Sequence, residues 1–253
     1  MDWYTPIAVH ETLHAHVVCA WTAHIHRWHS MTPDGCVDIV WTSAGNVRVC
    51  GPETSGWTVR LPEGTLAAGI RLRPGVAHSL FGADMGELRD RRVELADLTG
   101  PGFAADLCAR VEDAPSERER ALCMVNAVTR LLGHYHDDRL ARTISASLAR
   151  QSWDIAQLAR NASLTSRQLH RRSVRAFGYG SSTLRAILRL QRFMSFARLK
   201  PQQQLADLAQ LSGFSDQAHL NRESHRFSGL TPSALLASEA PAWHGNGTPW
   251  WER

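Results

Sequence analysis

The chain has 253 residues, 43% of them hydrophobic, which suits one large domain or two small ones and argues against a largely disordered chain. Its formal net charge is only +4, but residues 1–140 hold 13 basic and 18 acidic side chains and residues 141–253 hold 15 and 6. No apolar run reaches the roughly 18 residues of a membrane helix, and the start Met1-Asp2-Trp3-Tyr4 lacks a secretory pattern. Five scattered cysteines without a C-x-x-C argue against a disulfide scaffold or a cysteine-rich zinc module and point to the cytoplasm.

Residues 1–100 read as a β-rich unit. From Ala15 to Ile25 apolar residues occupy the odd positions, the period of a half-buried strand. Turn signals follow at Pro33-Asp34-Gly35, Ala44-Gly45-Asn46, Gly51-Pro52, Pro62-Glu63-Gly64 and Pro74-Gly75. Between them lie short β-rich runs at Val37–Trp41, Val47–Cys50, Trp57–Leu61 and Ala68–Leu72, which predicts a small antiparallel sandwich or cupin-like barrel. Five of nine Trp and six of thirteen His fall in the first 57 residues. Aromatic lining suits a small-molecule pocket, with Trp21, His24, His26, Trp28, Cys36, Trp41 and Trp57 as candidate effector contacts. Ordinary core packing competes with that role at each Trp. The pairs His14-x-His16 and His24-x-His26 place two imidazoles on one strand face. No Glu follows before Glu53, so a metal is not expected and no cofactor is assigned.

Helical spacing starts after Gly100, with helices predicted over Phe103–Val111 and Arg118–Leu132. Residues 101–138 form connector helices suited to dimerisation, and Gly133–Asp138 reads as a hinge. Residues 139–238 are helix and tight turn. The tail, 239–253, holds Trp243, Trp250 and Trp251 and reads as irregular.

The basic half contains an internal repeat. Ile155, Ala156, Leu158 and Ala159 recur as Leu205, Ala206, Leu208 and Ala209, and Leu169, Arg171, Ser173 and Gly178 recur as Leu220, Arg222, Ser224 and Gly229. Each unit is helix, short turn, helix. Thr165 and Ser215 are natural N-caps, Thr165 with Gln168 forms a capping box, and Gly178 and Gly229 stop the second helices. Ten basic residues and no acidic one lie between Arg160 and Lys200, the electrostatic footprint of a nucleic-acid binder. Two helix-turn-helix units are therefore predicted.

These residues, together with Gly213-Phe214, His219-Leu220-Asn221-Arg222 and Gly229-Leu230-Thr231-Pro232, resemble the AraC/XylS-type transcription regulators. Ser173 and Ser224 depart from the pattern, which usually has Phe there. The run Pro33-Asp34-Gly35-Cys36-Val37-Asp38 with Gly51-Pro52 resembles a subgroup whose β-domain has no known ligand. The resemblance implies an α+β protein: a β-domain that senses an effector, then an all-α domain with two helix-turn-helix motifs. It implies double-stranded DNA, a small-molecule effector and a homodimer, with RNA polymerase as a possible further partner and a place on the nucleoid.

Recognition helices are expected near Ser166–Phe177 and Asp216–Phe227. Base-edge candidates are Arg167, Gln168, Arg171 and Arg172, then Gln217, Asn221 and Arg222, because Arg bridges guanine and Gln or Asn bridges adenine. Asp216 better suits a helix start. Arg185, Arg189 and Arg192 form one stripe on the connecting helix. Phosphate candidates are Thr165, Arg175, Arg185, Arg189 and Ser215. A non-enzymatic regulator is expected. The competing classes are a DNA-alkylation repair or response protein with a Cys acceptor, which needs clustered cysteines, and an architectural DNA binder without ligand.

Overall fold

A computed structural model describes residues 3–151 and 153–238; the tail lies outside them. The first half forms β1 (Tyr4–Ile7), β2 (Val17–His24), β3 (His29–Met31), β4 (Val37–Thr42), β5 (Asn46–Cys50), β6 (Trp57–Val59), β7 (Leu66–Leu72) and β8 (Arg92–Glu94). Six pair in the order β1-β2-β7-β4-β5-β8, all antiparallel, and β3 pairs β6 as a separate ribbon. Among the described residues the larger sheet therefore keeps two edges, β1 and β8, and strand pairing does not close it into a barrel. Residues of both sheets line one cavity, so the ribbon stands across it from the larger sheet.

The first hundred residues are not all β. Short helices α1 (Val76–Phe81), α2 (Met85–Leu88) and α3 (Leu95–Thr99) follow the Pro74-Gly75 turn. Helices α4 (Pro101–Glu112) and α5 (Glu117–Leu132) match the helical spacing, and Ser116 caps α5 by accepting from Glu119 N–H. α5 lies across β2 and β7. Its Ala121, Met124, Ala127 and Val128 join Ile39, Trp41, Val49 and Ile70 in one core. That packing explains why β2 is buried on both faces apart from its last residue, rather than half-buried. A bulge between Val17 and Cys19 shifts its register against β7.

The second half contains α6 (Arg139–Ala149), α7 (Ile155–Asn161), α8 (Ser166–Phe177), α9 (Ser181–Leu199), α10 (Leu205–Leu211), α11 (Gln217–Ser228) and α12 (Pro232–Ser238). The pairs α7–α8 and α10–α11 are the two predicted units, joined by α9. Leu184, Ile187, Leu188 and Met194 of α9 are buried, as their spacing requires. Ser173 and Ser224 are fully buried, and Ser224 Oγ donates to Leu230 O at 2.8 Å.

The halves share a core. Tyr4, Cys19, Trp21 and Cys36 cluster with Phe177, Leu184, Leu188 and Phe193. Both motifs of the β-half sit on this seam. Pro52 packs against Gly178, and Arg89 Nη1 donates to Gly178 O at 3.4 Å. Gln191 Nε2 donates to Pro33 O at 2.7 Å in a buried bond.

Candidate DNA interface and effector pocket

The start of α8 is built by its own sequence. Thr165 Oγ1 accepts from Gln168 N–H at 3.2 Å, and Gln168 Oε1 accepts from Thr165 N–H at 2.8 Å and from Thr165 Oγ1 at 3.0 Å. This is the expected capping box. It also occupies the Gln168 carbonyl that an adenine bridge would use. Leu169, Ser173, Ala176 and Phe177 form the buried face of α8, leaving Arg167, Arg171, Arg172 and Arg175 exposed on the other. Among the described residues none of these four guanidinium groups has an ion pair or hydrogen bond.

For the second unit the sequence offers Ser215 as N-cap and Asp216 as a helix-start residue, and the structure takes Asp216. The cap of α11 is Asp216, not Ser215: Asp216 Oδ1 accepts from His219 N–H at 2.6 Å. A carboxylate at this end gains from the amide dipoles, and the His219 N–H bond holds its pKa below the ordinary value. Ser215 Oγ turns to Asp216 Oδ2 at 3.2 Å and His219 Nδ1 at 3.1 Å, so it buttresses the helix start. Gln217, Asn221 and Arg222 are exposed on α11.

The arginine stripe divides. Arg185 is half-buried and has no partner among the described residues. Arg189 departs from the phosphate expectation. Its side chain is 15% exposed and lies over the Phe214 ring at 4.7 Å, 3.8 Å from Glu223 and 3.2 Å from His219 Nε2. Burial lowers its pKa. It ties α9 to α11 and is occupied inside the protein. Arg192 likewise donates to Ala149 O at the end of α6.

The β-half holds a cavity of about 500 Å³ between the larger sheet and the β3–β6 ribbon. Trp3, Trp21, Val40, Trp57, Val59 and Leu61 give it apolar walls. Trp21 and Trp57 are thus the two sequence candidates that it gathers. Trp41 alternates with Val40 along β4, faces the opposite core and is 2% exposed. Trp28 is 66% exposed, with Arg60 stacked 5.0 Å from its ring. His24 lies 3.7 Å from Glu117 of α5, outside the cavity, and its ring centroid is 5.6 Å from that of exposed His26. Cys36 is buried in the seam, and burial pushes its thiol pKa well up, which disfavours the thiolate a methyl acceptor needs. Among the described residues no three His, Cys, Asp or Glu side chains are placed to hold a metal ion.

Sequence reasoning alone misses the charged floor. Arg71 of β7 is 2% exposed and lies opposite Asp38 of β4. Arg71 Nη2 meets Asp38 Oδ2 at 3.1 Å, and Nη1 meets Asp34 Oδ2 at 3.3 Å. Trp21 Nε1 donates to Asp38 Oδ1 at 2.9 Å. A buried guanidinium is tolerable only when paired and hydrogen-bonded in this way. At the rim Arg92 pairs with Glu53 and lies 3.9 Å over the Trp57 ring, and Arg48 pairs with Glu94 at 2.7 Å.

Residues 6–94 match the family described as "Domain of unknown function (DUF6597)", and residues 158–238 match the family described as "Helix-turn-helix domain". No curated protein matches the chain. Three solved structures of ToxT from Vibrio cholerae are similar to it at a low level. One solved at 1.65 Å shares 12% identity, with 85% of this chain and 91% of that chain covered at a TM-score of 0.44. Another, with bound unsaturated fatty acid, shares 13% identity over 91% of this chain and 95% of that chain, at a TM-score of 0.46. A third, bound to (E)-4-(8-methylnaphthalen-1-yl)but-3-enoic acid, shares 11% identity over 94% and 99%, at a TM-score of 0.47. None of the described helices is long and apolar enough to cross a membrane. Residues 6–94 thus match a family of unknown function, and residues 158–238 are a helix-turn-helix domain of the AraC type.

Proposed function

We propose that this protein is a transcription regulator whose two recognition helices read one operator and whose DNA occupancy changes when a largely apolar small molecule enters the cavity beneath the β3–β6 ribbon. The observation that carries the reading is the exposed basic face of α8, unpartnered among the described residues, in a chain that also holds an aromatic-walled cavity. Arg167, Arg171 and Arg172 with Gln217, Asn221 and Arg222 are assigned to base edges, and Arg175 and Arg185 to phosphates. Thr165, Gln168 and Ser215 set the helix starts, and Arg189 positions α11. Trp3, Trp21 and Trp57 grip the effector, with Arg92 and the Arg71–Asp38 pair offering polar contacts.

In this reading the protein works in the cytoplasm on chromosomal DNA as a homodimer, with RNA polymerase as a further partner. The groove between α4 and α5, edged by Phe103 and by Leu122 at 46% exposure, is the surface assigned to the dimer. No catalytic step is assigned to the chain. A thermal-shift screen of aromatic and aliphatic small molecules tests the effector. Compounds that raise the melting temperature should also change DNA affinity, and Val40→Trp, which fills the cavity, should abolish both effects. A screen in which stabilising compounds leave DNA affinity untouched would favour an architectural binder.

A further inference from the structure

The cavity floor and the helix that joins the two DNA-reading units are connected by one buried chain of contacts. Arg71 lines the cavity and holds Asp38, a second lining residue, on one side. On the other side it holds Asp34, which lies outside the cavity in the turn 33–36. Asp34 Oδ1 also accepts from Cys36 N–H at 2.8 Å, so the carboxylate fixes the shape of that turn. The turn rests on α9. Pro33 O accepts from Gln191 Nε2, and a Cβ added at Gly35 would lie 3.1 Å from Leu184 Cδ1. Leu184 and Gln191 are buried in α9.

We propose that the Asp38–Arg71–Asp34 triad is the relay of this regulator: an occupant of the cavity that shifts Arg71 or Asp38 moves the 33–36 turn, and the turn re-seats α9 and with it the two recognition helices. The inference rests on the reading that the cavity holds an effector. The physical basis is that a buried guanidinium shared by two carboxylates cannot drop one partner without desolvation cost, so the three groups move together. A packed seam of this kind shifts between discrete arrangements rather than deforming smoothly. Asp34 and Gln191 are positioning residues; neither lines the cavity.

The test uses 8-anilinonaphthalene-1-sulfonate, an apolar anion, as the occupant of the full-length protein. Its affinity is read by fluorescence, and hydrogen exchange is followed across the chain with and without it. In the wild type, saturating probe should change exchange at least twofold in the 33–36 turn and in residues 184–194. Asp34→Asn keeps the acceptor for Cys36 N–H but removes the ion pair; Gln191→Met cuts the chain at α9. Both should bind the probe within about twofold of wild type yet leave 184–194 unchanged on binding, and the Met variant keeps the test open should Asp34→Asn not fold. A probe response confined to the β-half in the wild type, or transmitted equally by both variants, would overturn the relay. Failure of the probe to bind saturably, or binding that survives Val40→Trp, would instead bring down the effector reading and the relay with it.

Discussion

Replacing Arg189 with Met separates two roles for the connecting helix. The stripe of Arg185, Arg189 and Arg192 resembles a phosphate-binding edge. If Arg189 held a phosphate, its removal would weaken binding to all DNA alike and reduce the salt slope by about one. The structure instead sets the Arg189 guanidinium over Phe214, beside His219 and Glu223, with Gly213 O at 3.5 Å. A partly buried cation–π interaction contributes about 0.5–2 kcal/mol. The 3.8 Å ion pair adds roughly 0–1 kcal/mol, and the hydrogen bond to His219 about 1 kcal/mol. Met keeps the apolar stem, so the expected loss is about 2–3 kcal/mol, or a melting shift of roughly 4–12 °C for a chain this size. Thermal denaturation and salt-dependent DNA binding measure the two effects side by side. The expected outcome is a lower melting temperature with an unchanged salt slope. An unchanged melting temperature with a slope reduced by about one would refute the structural role.

Other substitutions probe single features of the fold. Asp216→Ala removes the cap of α11 and should cost about 1 kcal/mol in denaturation, whereas Ser215→Ala should cost less. Gly69→Ala would put a Cβ 2.3 Å from Trp21 Cζ2, so the indole must leave its bond to Asp38. A destabilisation of about 1–3 kcal/mol, with altered Trp fluorescence, is expected. Cys36, buried with its thiol pKa pushed well up, should resist iodoacetamide at pH 8 in the folded protein and react once denaturant is added. Mass mapping of the alkylated protein reads that difference, and labelling of folded Cys36 would contradict its burial.

The repeat is legible in the sequence because both units carry the same local physics. Leu-Ala at the packed face and glycine after the recognition helix fix helix, turn and helix without reference to the rest of the chain. The cap of α11 is not legible in the same way, because Ser215 and Asp216 are both good capping residues and only the backbone angles decide between them. The cavity is harder still to read. Aromatic and His-rich composition points to six candidates, with Cys36 a seventh, but a strand sends alternate residues to opposite faces, so Trp41 faces the helical core while Asp38, Val40 and Thr42 face the cavity. Placing Arg71 needs the register of β7 on β4, which no local pattern encodes. The three short helices after Pro74 lie in segments too brief for a helical period to show.

The central claim is that α8 and α11 read DNA as a pair. Selection of genomic fragments by the purified protein, repeated with Arg171→Ala and Arg222→Ala, tests it most directly. The account predicts a bipartite motif with two reads about one helical turn, roughly 34 Å, apart. Each substitution should remove one read and cost about 1–3 kcal/mol on the selected sites while sparing random DNA. Enrichment of no sequence, or equal losses on selected and random fragments, would contradict it.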